Sequence, residues 1–210
     1  MYEYRAAGST WNGDSTVYQK VLRAMPQLPT GARVLDAGCG NGYFGSLLAG
    51  QGFQVCGLDP SASGIEVARH TYPDISFVCA DLSQPPSGLA AFDAITCVEV
   101  IEHVYAPHKI LRTLIGLLKP GGSLVLTTPY HGYVKNVAVA LSGRFDTHFN
   151  PLWDDGHIKF FSHRTLSQAL QDAGFADIHI KGVGRMPYLW KSMLVTALKP
   201  AQPRHASTTG

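Results

Sequence analysis

The chain has 210 residues, of which 45% are hydrophobic and 15% are charged, which predicts one globular domain with a substantial core. The net charge is only +2 and no dense run of lysine and arginine occurs, so nucleic acid is a poor candidate partner. No stretch approaches the ~20 consecutive apolar residues of a membrane span, and the chain does not begin with the pattern of a secretory signal, so we expect a cytoplasmic protein.

A leader of residues 1–32 precedes the first predicted strand. Val17, Val21 and Met25 recur at helical spacing within it, which predicts a helix that ends at Pro26. The leader also contains aromatic residues, and these more often pack in a satellite cluster than contact a ligand.

The stretch VLDAGCGNGYF, residues 34–44, organises the rest of the chain. An apolar run reaches Asp36 and is followed by glycines at alternate positions, Gly38, Gly40 and Gly42, which indicates a strand, a tight turn and a helix. Such closely spaced glycines imply a backbone that needs positive φ or that lies against a flat ligand. The helix that follows directs its free N–H groups at the turn, where they favour an anion.

The same stretch contains GxGxxG, which alone fits either a dinucleotide site or an ordinary glycine-rich turn. The aspartate decides between them, because Asp36 stands two residues before the first glycine and gives D-x-G-x-G-x-G. This pattern resembles the first motif of the class I S-adenosylmethionine-dependent methyltransferases. The resemblance implies that the cofactor contacts Asp36, Gly38, Cys39, Gly40, Gly42 and Tyr43, and that part of the leader folds over it as a lid.

A carboxylate also follows each of the next two predicted strands. The second strand ends at Asp59 and Pro60, where Asp59 is placed to accept both ribose hydroxyls of an adenosine; a solvated aspartate in a turn is the alternative. Residues 63–66 form a possible capping box for the helix between these strands. The third strand ends at Asp81 and Leu82. The resemblance implies that Asp81 hydrogen bonds to the adenine amino group and that Leu82 packs on the ring.

Residues 92–98 predict the fourth strand, and the segment EVIEHV follows it from Glu99. This segment resembles the corresponding motif of small-molecule O-methyltransferases of the ubiquinone-biosynthesis type. Carboxylates at this sheet edge suit the sulfonium and ammonium groups of the cofactor. An apolar stripe over 110–118 predicts the next helix, and the KPGG turn, 119–122, ends it before a fifth strand at 123–128.

Residues 130–161 are too long for a simple connection, so we predict a substrate-facing insertion with a short helix over 134–141. A hydroxyl acceptor must lose a proton, and histidine is the usual base near neutral pH. His103, in EVIEHV, and His131 and His157, in the insertion, are therefore candidate bases, although single histidines are more often structural.

A metal-dependent reaction is the less favoured alternative. Asp154, Asp155 and His157 lie close together in the sequence and could bind a cation. Adjacent carboxylates are more typical of a polar turn, so we predict no metal site.

The C-terminal part supplies the last elements of the sheet. Ser162 can cap one more helix, and strands follow near Ile180 and over 191–198. Strands with interleaved helices predict a doubly wound α/β sheet with helices on both faces. The resemblance implies seven strands in the order 3-2-1-4-5-7-6, with the seventh antiparallel. We expect one domain over 1–198 and a disordered tail over 199–210.

The cysteines, Cys39, Cys56, Cys79 and Cys97, include no CxxC pair and mostly lie in or beside apolar strands. We expect them to be reduced core residues rather than metal ligands or disulfides.

Together these motifs predict an S-adenosylmethionine-dependent methyltransferase that acts on a small molecule, with O-methylation of a hydroxyl as the first hypothesis. N- or C-methylation and a cofactor-binding module without turnover are alternatives, and an NAD-dependent oxidoreductase is a more distant one. The sequence leaves the acceptor and the oligomeric state open.

Overall fold

A computed structural model of the protein describes residues 15–89, 91–154 and 156–201. Seven strands form one sheet in the order β3-β2-β1-β4-β5-β7-β6. They are β1 (Arg33–Ala37), β2 (Gln54–Asp59), β3 (Ser76–Cys79), β4 (Phe92–Val98), β5 (Leu118–Pro129), β6 (Ala176–Val183) and β7 (Ser192–Leu198). β1 to β5 are parallel, whereas β7 is antiparallel to both β5 and β6. The predicted fold, strand order and antiparallel seventh strand are confirmed.

Helices cover both faces of the sheet. They are α1 (Ser15–Ala24), α2 (Tyr43–Ala49), α3 (Ala62–Thr71), α4 (Pro107–Leu117), α5 (Tyr133–Leu141), α6 (Phe145–His148) and α7 (His163–Asp172), with a 3-10 turn at Ile101–His103. Successive side chains of a strand point to opposite faces. Val34 therefore joins the apolar cluster of α1 and α2, while Leu35 joins that of α4 and α7. Both side chains are fully buried, as expected for a central parallel strand.

The predicted leader helix is confirmed as α1. Val17 and Val21 are buried in the cluster that covers one face of the sheet, and the helix ends at Ala24, before Pro26. Residues 1–14 of the predicted lid, which include Trp11, lie outside the described residues.

The predicted capping box at residues 63–66 is wrong, because α3 already begins at Ala62. Ser61 is the N-cap residue, and its side chain accepts a hydrogen bond from the Gly64 amide. Asp59 holds Ser61 in this position by accepting the Ser61 N–H at 2.8 Å. The helix start is thus set by the carboxylate at the end of β2, which a local capping pattern does not reveal.

The KPGG segment at residues 119–122 is part of β5, not a turn before it. Phe92 pairs with Leu118 and Ala94 with Ser123, so the segment is a bulge within the ladder. Lys199, the first residue of the predicted tail, is ordered: its amide donates to Gly122 O at 2.8 Å. Residues 202–210 of that tail lie outside the described residues.

The insertion between β5 and α7 contains two helices. The predicted helix over residues 134–141 is confirmed as α5, which begins one residue earlier, and α6 was not predicted. Asp155, one of the weighed metal ligands, is not among the described residues. No helix in the described ranges is long and apolar enough to cross a membrane.

The four cysteines are free thiols, as predicted, but they are not all core residues. Cys39 and Cys97 are buried, Cys56 is half-buried and Cys79 is exposed. Cys79 lies on β3, an edge strand of the sheet, where alternate side chains face solvent.

Candidate active site

The carboxyl ends of β1, β2 and β4 meet at one edge of the sheet. Strand order reverses between β1 and β4, and doubly wound sheets bind ligands at such a switch point. Asp36 lies in β1, Asp59 ends β2 and Glu99 follows β4. The structure therefore brings together three of the carboxylates that the sequence analysis assigned to the cofactor.

The glycine loop after β1 has the positive φ angles that the motif predicts. Gly38 and Gly42 adopt φ values of +81° and +79°. A Cβ atom at Gly38 would clash with Val100 Cγ2, and one at Gly42 would lie 2.7 Å from Phe77 Cζ. These two glycines are required by packing within the protein as well as by any ligand above the loop.

Asp59 ties this loop to β2. Its Oδ2 accepts the Gly40 N–H at 2.9 Å, and its side chain is 8% exposed. Burial raises the pKa of Asp59, although the two backbone N–H groups that it accepts partly offset this. Its neighbour Pro60 is exposed at the same sheet edge.

Only one of the two carboxylate oxygens of Asp36 has a hydrogen bond to the described residues. Oδ1 accepts a hydrogen bond from the Thr96 hydroxyl at 3.0 Å, whereas Oδ2 is buried and makes no hydrogen bond within the described residues. Burial is the main cause that raises the pKa of Asp36 to about 7. An unpaired buried carboxylate oxygen is costly, so this atom is suited to a cationic ligand group.

Glu99 adopts a left-handed backbone conformation with φ of 53°. Its amide donates to both the carbonyl and the hydroxyl of Thr127, each at 3.1 Å. Its side-chain Oε1 is buried and lacks a hydrogen-bond partner in the described ranges. Such a conformation costs about 1–3 kcal/mol for a non-glycine residue and is concentrated at functional sites.

Tyr18 of α1 reaches the same edge of the sheet, which the sequence analysis did not predict. Its ring stacks on Phe44 with centroids 4.9 Å apart. Burial, followed by the charge of Asp36 and then smaller contributions that include Glu99, raises the pKa of Tyr18 to about 12. The helical spacing around Val17 predicts the helix, but it does not indicate which aromatic residue of the leader lies near the carboxylates.

The two residues assigned to the adenine differ in exposure. Asp81 is exposed and accepts the Ser83 N–H at 2.7 Å, while Leu82 is 4% exposed and packs in the main core. In the glycine loop, Cys39 is buried and Tyr43 is half-buried.

Two of the candidate bases face each other beyond β4. The rings of His103 and His157 lie 4.8 Å apart, edge to face. The chain around His157 is held there because Ile158 N and Lys159 N both donate to the Glu102 carbonyl, at 2.9 and 3.0 Å. Burial, with the charge of His103 next in size, lowers the pKa of His157 to about 4.

His131 is the most enclosed of the three candidate bases. It is 8% exposed, and neither ring nitrogen makes a hydrogen bond within the described part of the chain. The ring lies 4.9 Å from Phe160 and 5.6 Å from His148, between centroids. Burial and the charge of Lys135 lower the pKa of His131 to about 4, so its ring is neutral at physiological pH.

Glu102 is fully buried in the EVIEHV segment. Its Oε2 accepts a hydrogen bond from the Thr128 hydroxyl at 2.9 Å, and Oε1 has no partner among the described residues. Burial and the neighbouring Glu99 raise the pKa of Glu102 well above its usual value. Glu102 was not among the predicted site residues, although a carboxylate directly after the apolar pair Val100 and Ile101 was an available signal.

A cavity of about 580 Å³ lies beside the insertion rather than at the glycine loop. Lys135, Arg144, His148 and Arg185 contribute to its lining, which contains no acidic residue. Lys135 is 5% exposed and its Nζ donates to Tyr130 O at 2.6 Å. Burial, followed by the charge of Arg185, lowers the pKa of Lys135 to about 8.

The sequence profile of the methyltransferase domain family matches residues 12–180. The chain belongs to this family. This methyltransferase is 32% identical over 197 residues to the ubiquinone biosynthesis O-methyltransferase of Xanthomonas axonopodis pv. citri, covering 87% of this chain and 82% of the relative. It is 29% identical over 161 residues to the protein of the same name from Coxiella burnetii, and the match covers 75% of this chain and 69% of that relative.

Among solved structures, the methyltransferase resembles the N-methyltransferase NodS of Bradyrhizobium japonicum in complex with S-adenosylhomocysteine. The TM-score is 0.68 at 16% identity, and the match covers 91% of this chain and 90% of NodS. At that identity the likeness shows the fold alone.

The methyltransferase uses S-adenosylmethionine, the cofactor of its family. The described residues fit this group, because the orphaned oxygens of Asp36 and Glu99 suit a cofactor that carries a sulfonium and an ammonium. Asp36 Oδ2 and Glu99 Oε1 therefore have a chemical reason to be buried without a hydrogen bond to the described residues.

Proposed function

We propose that this methyltransferase transfers the methyl group of S-adenosylmethionine to a hydroxyl oxygen of a small molecule. One observation carries the proposal: His131 is a buried imidazole with no hydrogen bond within the described residues, and it lies 5.6 Å from His148, which lines the cavity. A neutral ring in that position can accept the proton of an acceptor bound there.

Methyl transfer is an in-line displacement. The acceptor oxygen attacks the methyl carbon, S-adenosylhomocysteine leaves, and the hydroxyl proton passes to His131. Holding the reacting atoms at about 3 to 3.5 Å supplies several kcal/mol of the barrier. An imidazole with a low pKa is a weak base, so it suits an acidic hydroxyl such as that of a phenol or an enol.

The relatives support oxygen as the methylated atom, since the names of the Xanthomonas and Coxiella proteins specify O-methylation. His103 and His157 are the alternative bases, because their paired rings lie beside Glu102, a carboxylate that follows β4.

We assign the cofactor half of the site as the sequence motifs imply. Asp59 accepts the ribose hydroxyls, Asp81 the adenine amino group, and Asp36 and Glu99 face the cationic groups. The remaining contacts come from Gly38, Cys39, Gly40, Gly42, Tyr43, Pro60 and Leu82. Two orphaned carboxylate oxygens and the buried position of Asp59 support this assignment.

The cavity supports an acceptor that carries an anionic group. Lys135, Arg144 and Arg185 supply positive charge to a lining without acidic residues, and the apolar side chains of Val139, Met186 and Leu189 share it. Like charges gathered around a cavity destabilise the empty site, and a carboxylate or phosphate offsets that repulsion. An amphiphilic acceptor fits this arrangement: its acidic hydroxyl suits His131, and its anionic substituent suits the cations of the cavity.

The test is a screen for methyl transfer from labelled S-adenosylmethionine to pools of phenols, enols, amines and carbon acids, with and without anionic groups. O-methylated phenols or enols are the expected products. Methylation confined to amines or carbon acids would contradict O-methylation and identify nitrogen or carbon as the methylated atom. Cofactor binding without transfer to any pool would favour a binding module without turnover.

A further inference from the structure

Three cationic side chains line the cavity beside the insertion, and they come from separate segments of the chain. Lys135 lies on α5, Arg144 directly precedes α6, and Arg185 lies in the loop between β6 and β7. Asp146, the acidic residue of α6, is not among the lining residues. Because the cations come from different segments, each can bind a different oxygen of one anionic group.

Lys135 is the enclosed member of this cationic set. Its side chain is almost fully buried, and Nζ donates to Tyr130 O at 2.6 Å. An ammonium group has three N–H donors, so this bond occupies only one of them. Burial and the charge of Arg185 both disfavour the charged form of Lys135. An anionic ligand offsets both effects, because it solvates the ammonium and reduces its repulsion by Arg185.

The loop that carries Arg185 has an unusual backbone. Arg185 and Tyr188 adopt φ values of 56° and 65°, which are uncommon for residues other than glycine. The loop is closed at its base, where Lys191 N donates to Val183 O at 2.9 Å. Such backbone conformations cost free energy and are concentrated at active sites and ligand clamps. This one holds an exposed arginine at the lining of the cavity.

The number of cations favours a phosphate monoester over a carboxylate. A carboxylate has one charge and two oxygens, whereas a phosphate monoester has close to two charges at neutral pH and three terminal oxygens. Guanidinium groups match the geometry of phosphate and can bind two of its oxygens at once. The apolar side chains of Val139, Met186 and Leu189 in the same lining suit an organic substituent on the phosphate rather than the free ion.

We infer that the cavity binds the phosphate group of a phosphate monoester, and that the methyl acceptor is a small hydroxylated molecule that carries this group. The first part concerns binding alone, and the second rests on the proposed function. His148 lines the cavity, and its ring centroid lies 5.6 Å from that of His131. One small molecule can therefore place its hydroxyl at His131 and its phosphate at the cations.

The phosphate site is tested by calorimetric titration of the full chain with four ligands. They are phenyl phosphate, inorganic phosphate, benzoate and methyl phenyl phosphate, a diester with a single charge. Phenyl phosphate is expected to bind about 10-fold or more tightly than each of the others at pH 7.5.

Arg144→Gln and Arg185→Gln are each expected to weaken binding of phenyl phosphate by about 10-fold or more, because each removes a charged donor. Both arginines are exposed, so these replacements leave the core intact. Arg164→Gln, which removes an exposed arginine from α7, is the matched control and keeps the parent affinity.

The pH dependence separates the charge of the ligand from that of the protein. The preference for phenyl phosphate over the diester is expected to grow as pH rises through about 6, where the monoester gains its second charge. Both ligands lose affinity above pH ~8, where Lys135 loses its proton. His131 and His148 also lie in this region, and burial lowers the pKa of both, so they are mostly neutral at pH 7 and affect both ligands alike.

Equal affinity for the monoester, the diester and benzoate, or unchanged affinity in both arginine variants, would overturn the phosphate site. Inorganic phosphate that binds as tightly as phenyl phosphate would overturn the ester as the ligand. The acceptor is tested with hydroxyphenyl phosphates and labelled S-adenosylmethionine, for which kcat/KM is expected to be about 10-fold or more above that of the phenols without phosphate.

Methylation of phenols without that advantage would overturn the phosphorylated acceptor and keep the proposed O-methylation. If no phenol or enol is methylated, the proposed function and the acceptor assignment fail together, whereas the titrations still decide the phosphate site.

Discussion

The Asp59 carboxylate binds the amide of Gly40 at 2.9 Å and thereby joins the end of β2 to the glycine loop. Each carboxylate oxygen retains a further lone pair for a ribose hydroxyl. Asp59 therefore shapes the loop and, on our assignment, contacts the cofactor itself.

Replacing Asp59 by alanine is expected to weaken binding of S-adenosylmethionine by ~1–3 kcal/mol, because the ribose hydroxyls lose a charged acceptor and the Gly40 amide loses its partner. Calorimetric titration measures this change. Asp74→Ala removes an exposed carboxylate and serves as the control. An unchanged dissociation constant for Asp59→Ala would exclude the ribose contact, and tighter binding of NAD would contradict the whole cofactor assignment.

Asp36 makes the stability of the cofactor-free protein depend on pH. Its pKa is about 7 in the folded protein against 3.8 normally, so the folded state binds the proton more tightly. The contribution of Asp36 to the free energy of unfolding is therefore largest below pH ~4. It falls by roughly 4 kcal/mol in total as pH rises through about 7.

Asp36→Asn is expected to remove that dependence. The Thr96 hydroxyl can donate to the amide oxygen, so the variant keeps this hydrogen bond while burying no charge. Its melting temperature rises above the parent's at pH 8 but not at pH 4, while its affinity for S-adenosylmethionine falls. Thermal unfolding at both pH values and titration with the cofactor measure these effects. If the melting temperatures of the two proteins changed with pH in parallel, the buried charge of Asp36 would be refuted as the cause.

His131→Ala is expected to lower kcat by ~10²- to 10⁴-fold, with cofactor affinity unchanged, if this residue accepts the hydroxyl proton. His179→Ala is the matched control, since that imidazole is exposed on β6. The variant's rate rises towards the parent's as pH approaches the pKa of the acceptor, because the acceptor then arrives ionised. A parent-like rate in His131→Ala would move the role to His103 or His157.

Arg185→Ala is expected to raise KM for an anionic acceptor by about 10-fold, because one cation of the cavity is lost. Binding of that acceptor by the parent weakens above pH ~8, where Lys135 loses its proton, and weakens in high salt. The uncharged analogue of the acceptor shows neither effect. Arg164→Ala, an exposed change on α7, is the control. An equal rise in KM for the charged and the neutral acceptor would instead indicate that the substitution had damaged packing.

The parts predicted correctly depend on local pattern. Asp36 and Asp59 were placed together because carboxyl ends of parallel strands share one sheet edge. Glu102 and Lys135 were missed because their surroundings depend on distant segments: Ile158 and Lys159 bind the Glu102 carbonyl, and Arg185 lines the same cavity as Lys135. A lysine on a short helix carries no local sign that a cavity will enclose it.

Both ends of the insertion are closed by backbone bonds. His131 N donates to Phe161 O at 2.8 Å, and Ile158 and Lys159 bind the Glu102 carbonyl. Residues 133–154 lie between these two sets of bonds, which hold the ends of the insertion in place. Doubling a loop's length costs only about 0.6 kcal/mol in closure entropy. On our proposal that the insertion forms the acceptor pocket, a change in its length or sequence alters that pocket, while β5, β7 and the cofactor edge of the sheet stay as they are.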